Sequence, residues 1–245
     1  MNLILKNYKS HSKTSNSFLH LETGTIPIKF IISSRRLNFL HNILKRNENE
    51  TIVRVLNAQK ENPINGDFIK LIKQDFTLID KEYDERLLKS MNKKKFKIFI
   101  KKKIKESAFK FLVKEKSDKS KVKDIEYNKF EIQKYIVSKL FTNYEVELLQ
   151  KIRSRNLDVK CNFKTRYSTF LECSLDGCSS QLENQPHLMK CKPIMDIFQE
   201  KFTLPRDLKY EHIFSKNVKK QKTITKLFSI LLDIREQLLK KQSSS

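Results

Sequence analysis

The sequence predicts a mainly α protein, and three observations carry that prediction. The 245 residues include only 3 Gly and 5 Pro, the residues that punctuate short strands and tight turns. Apolar residues recur every three or four positions along most of the chain, which is a helical period. Seventeen Phe and seven Tyr, with many Ile and Leu, give bulk for a core, although the hydrophobic fraction is only 38%. No apolar run approaches the roughly 18–20 residues that a bilayer span requires.

Taken in order, residues 1–24 are polar and read as a flexible N-terminal segment closing at Thr23-Gly24-Thr25. A helix is expected from Pro27, because proline in a first turn leaves no backbone bond unmade. Ile28, Ile31, Ile32, Leu37, Leu40 and Leu44 form its expected buried stripe, with Arg35 and Arg36 beside it. A second helix, over residues 50–59, stops before Asn62-Pro63. Asn65-Gly66-Asp67 reads as a turn and N-cap, after which Phe68, Leu71, Ile72 and Phe76 resume the helical spacing.

The next stretch is the most basic. Residues 93–123 hold 14 Lys against Glu106, Glu115 and Asp118. Phe96, Ile100, Ile104, Ala108 and Phe111 give that helix one apolar face, which leaves a lysine ridge on the other. Two more helices are expected at 129–140 and 143–155, the second capped by Thr142 or Asn143 and carrying Lys151, Arg153 and Arg155. Around 161–171 the pattern is less helical. There Phe163, Tyr167 and Phe170 alternate with Lys164 and Arg166, a mixture that fits stacked bases or a core with snorkelling neighbours equally well. Residues 198–213 look irregular, and 223–241 form a last amphipathic helix through Ile224, Leu227, Phe228, Leu231, Ile234 and Leu238.

The formal net charge is +23, from 51 basic against 28 acidic residues. A compositional bias towards Lys, Asn, Ile and Phe accounts for part of that excess. The remainder points to a polyanionic partner, because such a charge opposes compaction unless something neutralises it. RNA or DNA is favoured over an anionic membrane surface, on which a basic amphipathic helix could also lie. Arg35, Arg36, Lys101, Lys102, Lys103, Lys105, Arg153 and Arg155 are the expected phosphate contacts. The polar start, Met1-Asn2-Leu3-Ile4-Leu5-Lys6, is unlike a secretory signal, so a nuclear or cytoplasmic location is expected.

All four cysteines fall within residues 161–191, which is not the spread of a disulfide framework. Cys173-x4-Cys178-x8-His187-x3-Cys191 offers three thiols and an imidazole, a donor set that suits tetrahedral zinc. Asp176-Gly177 supplies a turn that returns Cys178 towards Cys173. His187 and Cys191, four apart, are expected on one face of a short helix beginning near Pro186. Cys161 reads as an ordinary thiol. The alternative for the cluster is scattered thiols acting as small core residues.

Several segments resemble the C-terminal part of LINE-type, non-LTR retrotransposon reverse transcriptases. They are residues 22–30, Arg35-Arg36-Leu-Asn-Phe-Leu-His41, Asn57-Ala-Gln-Lys60 with Asn62-Pro63, Glu106-Ser-Ala-Phe109, Leu140-Phe-Thr-Asn143 and Asp233-Ile-Arg-Glu-Gln-Leu239. The pieces occur in the family's order across residues 20–240. Glu183, His187-Leu188 and Cys191 match the acidic residue, His-Leu pair and last Cys of the family's Cys-Cys-His-Cys knuckle. The resemblance implies a helical thumb-like or connector bundle over 25–160, a zinc knuckle over 161–195 and a C-terminal segment over 196–245. It also implies template RNA or target DNA as ligand and an upstream polymerase domain as partner. That polymerase domain would carry the Mg²⁺ ions, since no Asp-Asp dipeptide occurs anywhere in the 245 residues. A host-recruited zinc-containing DNA- or RNA-binding protein is the alternative, and a basic peripheral membrane or scaffold protein is the weaker one.

Overall fold

The structure, a computed structural model, describes residues 15–163, 171–178, 181–204 and 207–244. The aromatic–cation segment holding Lys164, Arg166, Tyr167 and Phe170 lies outside the described residues, as does the stretch before Ser15. The chain is mainly helical. Among the described residues the only extended pairing is one antiparallel bridge between Glu172 and Leu182. No described helix is long and apolar enough to cross a membrane.

Part of the segment expected to be flexible is helical. Asn16–Thr23 is a helix, α1, in which Phe18 and Leu21 are fully buried. From there the chain divides into two compact units.

One unit comprises His20–Glu115 with Tyr127–Glu131. It contains α2 (Ile28–Ile43), α3 (Thr51–Glu61), α4 (Phe68–Leu78), α5 (Glu85–Ser90) and most of α6 (Lys93–Ser117). The turn before α4 uses Gly66 at φ +91°, a conformation that side chains with a Cβ rarely adopt. Asp84 caps α5 by accepting from the Arg86 and Leu87 amides, and Asn92 accepts from Lys95 at the start of α6. Phe96, Ile100, Ile104, Ala108 and Leu112 line the buried side of α6 and meet Phe30, Leu37 and Leu40 of α2 in one core. The His41 ring stacks on Phe96 with centroids 4.2 Å apart.

Two expectations for α2 are overturned. Ile28 and Ile32, expected in the core, are 69% and 44% exposed. The face that packs is instead set by Phe30, Ser33, Leu37, Leu40 and His41. Ser33 belongs to that face because the buried Asp75 of α4 accepts its hydroxyl at 2.6 Å. Asp75 also accepts Arg36 Nε at 2.7 Å and Nη2 at 2.6 Å.

The other unit comprises Lys116–Glu126 and Ile132–Ser245, with residues up to Leu19. Lys116 is buried, and its ammonium donates to the carbonyls of Val122, Lys123 and Ile125. The helix expected at 129–140 shrinks to one turn, α7 (Lys134–Val137). Phe130 packs in the core of the first unit and Tyr135 in that of the second, and only the turn that carries Tyr135 is helical.

α8 (Asn143–Arg153) begins with a capping box in which Thr142 and Glu145 satisfy each other's amides. After a 3₁₀ turn (Lys160–Phe163) come α9 (Gln185–Leu188) and α10 (Lys192–Lys201). A second 3₁₀ turn (Tyr210–Phe214) and the long α11 (Val218–Ser243) complete the unit. Leu149 and Ile152 of α8, Leu188, Ile194 and Phe198 pack with Ile224, Phe228 and Leu231 of α11. Residues expected to divide at 160 and 195 therefore share one core. A helix also spans Lys192–Lys201, so its last turn, at 198–201, falls where irregular chain was expected.

Candidate metal centre and basic surface

Four elements bring the ligand set together. Cys173 lies on an extended strand-like stretch, where its amide donates to the Gln181 carbonyl at 2.8 Å. The chain then reverses through Gly177 at φ +79°, and the Cys178 amide donates to the Leu175 carbonyl at 3.1 Å. His187 is on α9, whose start is capped by Asn184 Oδ1 accepting the His187 amide at 2.8 Å. Cys191 is the residue immediately before α10. The expectation of His187 and Cys191 on one helix is thus corrected: α9 ends at Leu188, and Pro193 fits the first turn of a new helix.

The donor atoms of Cys173, Cys178, His187 and Cys191 all lie within 4.8 Å of one another. Cys191 Sγ is 3.9 Å from Cys173 Sγ and 3.9 Å from Cys178 Sγ. Cys178 Sγ is 3.4 Å from His187 Nε2. Tetrahedral zinc with Zn–S bonds of about 2.3 Å places its sulfurs about 3.8 Å apart, so the four residues present the edges of such a site. His187 Nδ1 lies 3.3 Å from Gln181 Oε1. Donation from Nδ1–H to that oxygen leaves Nε2 free to face the sulfurs, the tautomer a metal requires.

The electrostatics run the same way. Burial lowers the His187 pKa against the opposing pull of Glu183, which favours the neutral imidazole. Burial also pushes the Cys173 and Cys191 thiols up, helped at Cys191 by the proximity of Cys173. Such thiols hold their protons at neutral pH until a cation displaces them. Four protein donors complete a tetrahedron, so a bound zinc would have no open position for a substrate. The geometry therefore fits a structural metal.

Glu183, which the resemblance singled out, and Gln185, which sequence reasoning passed over, anchor this centre to the helices. Glu183, 1% exposed, pairs with Arg235 of α11. Gln185 Nε2 donates to the Ile152 carbonyl at 2.9 Å and lies 2.8 Å from the Tyr210 hydroxyl. Its Oε1 accepts Asn162 Nδ2 at 3.0 Å. Cys161 stands apart from the cluster. Its amide donates to the Glu183 carbonyl at 3.0 Å, and it is not among the grouped ligands.

The expected phosphate contacts separate into three kinds. Arg35, Lys101 and Lys105 are exposed and make no ion pair among the described residues. Lys103 and, more loosely, Lys102 reach Glu106, at 2.9 and 4.0 Å, while Arg155 reaches Asp124 at 3.3 Å. Arg36 and Arg153 are engaged inside the fold. Arg36 grips Asp75 with both ends of its guanidinium fork. Arg153, 4% exposed, donates to the Ile213 carbonyl at 2.7 Å between the Tyr135 and Phe214 rings. A guanidinium enclosed in that way is not presented to a phosphate. Sequence reasoning also passed over Lys94 and Lys97, which are exposed and continue the row of Lys101 and Lys105 at helical spacing. Their three- and four-residue spacing was the signal.

Comparison with protein-family models, curated proteins and solved structures finds no match.

Proposed function

We propose that this chain binds nucleic acid through the outer lysines of α6, with zinc closing a structural centre in the unit that carries α8–α11. The observation that supports this most is the row Lys94, Lys97, Lys101 and Lys105. Four ammonium groups follow one side of a helix with no acidic partner among the described residues. A merely solvated helix face interleaves both signs of charge, whereas a phosphate track needs cations at regular intervals.

The resemblance makes the reading more specific. The chain is the portion of a LINE-type reverse transcriptase downstream of the palm, gripping template RNA or target DNA without a polymerase active site of its own. Zinc in this reading is not a contact to bases. It fixes the Cys173–Cys178 turn and α9 against α10, and the phosphate contacts fall to exposed lysines and to Arg35.

Fluorescence anisotropy with a labelled oligonucleotide tests the reading. Affinity should fall steeply between about 50 and about 200 mM salt, because each neutralised phosphate releases close to one counterion. An isotherm unchanged over that range would overturn the proposal.

A further inference from the structure

Ile28, Ile32, Arg35 and Phe39 are separated by four, three and four residues, which places them in one line along α2. Ile28, Ile32 and Phe39 are 69%, 44% and 48% exposed, and Arg35 is exposed with no ion pair among the described residues. The line is on the side of α2 opposite Phe30, Leu37 and His41, and none of its four residues belongs to the unit's buried core. Single exposed apolar residues are ordinary, but an aligned set with a cation inside it marks a surface for binding. Phe39 is also held in place: its ring meets Phe68 of α4 at 5.7 Å and 81°.

We propose that this line is a stacking platform for unpaired nucleotides, with Phe39 and Ile32 receiving base faces and Arg35 between them receiving the backbone phosphate. The proposal rests on the nucleic-acid reading above and narrows its ligand to a single strand. In a duplex the base faces are stacked on one another and cannot reach a side chain. In a single strand every base offers a face, and stacking on an aromatic ring with a nearby arginine is the usual grip.

Charge decides among the possible occupants. A second copy would bring another net +23 against this one, and like charges oppose that contact. A lipid surface would require the Arg35 guanidinium, in the middle of the line, to enter the acyl boundary. Helices that lie on membranes keep their cations on the polar face. A single nucleic-acid strand presents apolar faces and negative charge alternately, as the line does in reverse.

The chain has no Trp, so Phe39→Trp places a lone indole on the platform. Its emission should be quenched as oligo(dT) is added. Phe39→Leu keeps an apolar side chain against Phe68 but has no ring face. That variant should bind oligo(dT) about tenfold more weakly than the unaltered chain. Its affinity for a blunt duplex of equal length should stay within about twofold. Equal oligo(dT) affinity for Phe39→Leu and the unaltered chain would overturn the platform and leave the lysine row standing. Failure of the unaltered chain to bind either strand form would overturn both readings. Indole emission that shifts with anionic vesicles or with protein concentration, but not with oligo(dT), would assign the line to lipid or to self-association and overturn the proposal.

Discussion

The buried carboxylate of Glu183 is paired with the guanidinium of Arg235, which joins the loop between Cys178 and His187 to the last helix. Glu183 is 1% exposed, so losing its partner strands a charge inside the fold. Arg235→Met should lower unfolding stability by about 3–5 kcal/mol. The double variant Glu183→Gln with Arg235→Met should recover much of that loss, because it removes the stranded charge. Denaturant titration of the three proteins measures the difference. Equal losses for the single and double variants would mean that the pair contributes only packing.

Purified protein should contain one zinc per chain by elemental analysis. Cys191→Ser should abolish it, and Cys161→Ser should leave it intact. Chelation should lower the melting temperature of the unaltered chain and leave that of Cys191→Ser unmoved. Because burial raises the Cys173 and Cys191 thiols, zinc uptake at neutral pH should release protons into an unbuffered solution. Apparent zinc affinity should accordingly weaken as pH falls.

Acid stability of the other unit should depend on Glu85. Burial pushes its carboxyl up, but hydrogen bonds from Lys60, Lys89 and Tyr83 outweigh that and hold it at about 2, against 4.5 ordinarily. A carboxyl depressed on folding contributes stability that is complete above its unfolded pKa and disappears as pH drops through the folded one. The loss should therefore fall between pH 4.5 and about 2. Glu85→Gln should be less stable than the unaltered chain at neutral pH and converge with it near pH 2, as followed by thermal melting.

The two classes of arginine should respond differently. Arg35→Ala should reduce the slope of log affinity against log salt by about one and leave the melting temperature nearly unchanged. Arg153→Ala should do the reverse, because it removes a buried donor to the Ile213 carbonyl and a contact with two rings. A lower salt slope in a fully folded Arg153→Ala variant would return that residue to the binding surface.

The long helices α6 and α11 were legible because a helical period sustained over many turns fits neither a strand nor a loop. The start of α8 was legible to within one residue, Thr142 or Asn143, and the capping box formed by Thr142 with Glu145 decides for Thr142. Less was legible where the deciding partner is far along the chain. Nothing adjacent to Arg36 announces Asp75, and nothing adjacent to Arg153 announces the Ile213 carbonyl. In α2 the apolar residues span a wider arc than the core covers, so periodicity alone could not tell Ile28 and Ile32 from Phe30 and Leu37. At the metal centre, spacing indicated which four residues converge, and the Asp176-Gly177 turn was readable. The second helix was missed although Lys192-Pro193 puts a proline in a first turn, where it marks a beginning. Gln181, Gln185 and Arg235 carried no local signal.

α11 forms a wall of the same core as α8, α9 and α10, yet it follows all of them in the chain. During synthesis the four zinc ligands emerge while their supporting wall is still missing. Glu183 then has no Arg235, and Leu188 and Ile194 have no Phe228 or Leu231 to close against. Until α11 docks, metal captured by the four ligands would secure a loop without a floor, and the core of this unit would stay open on that side.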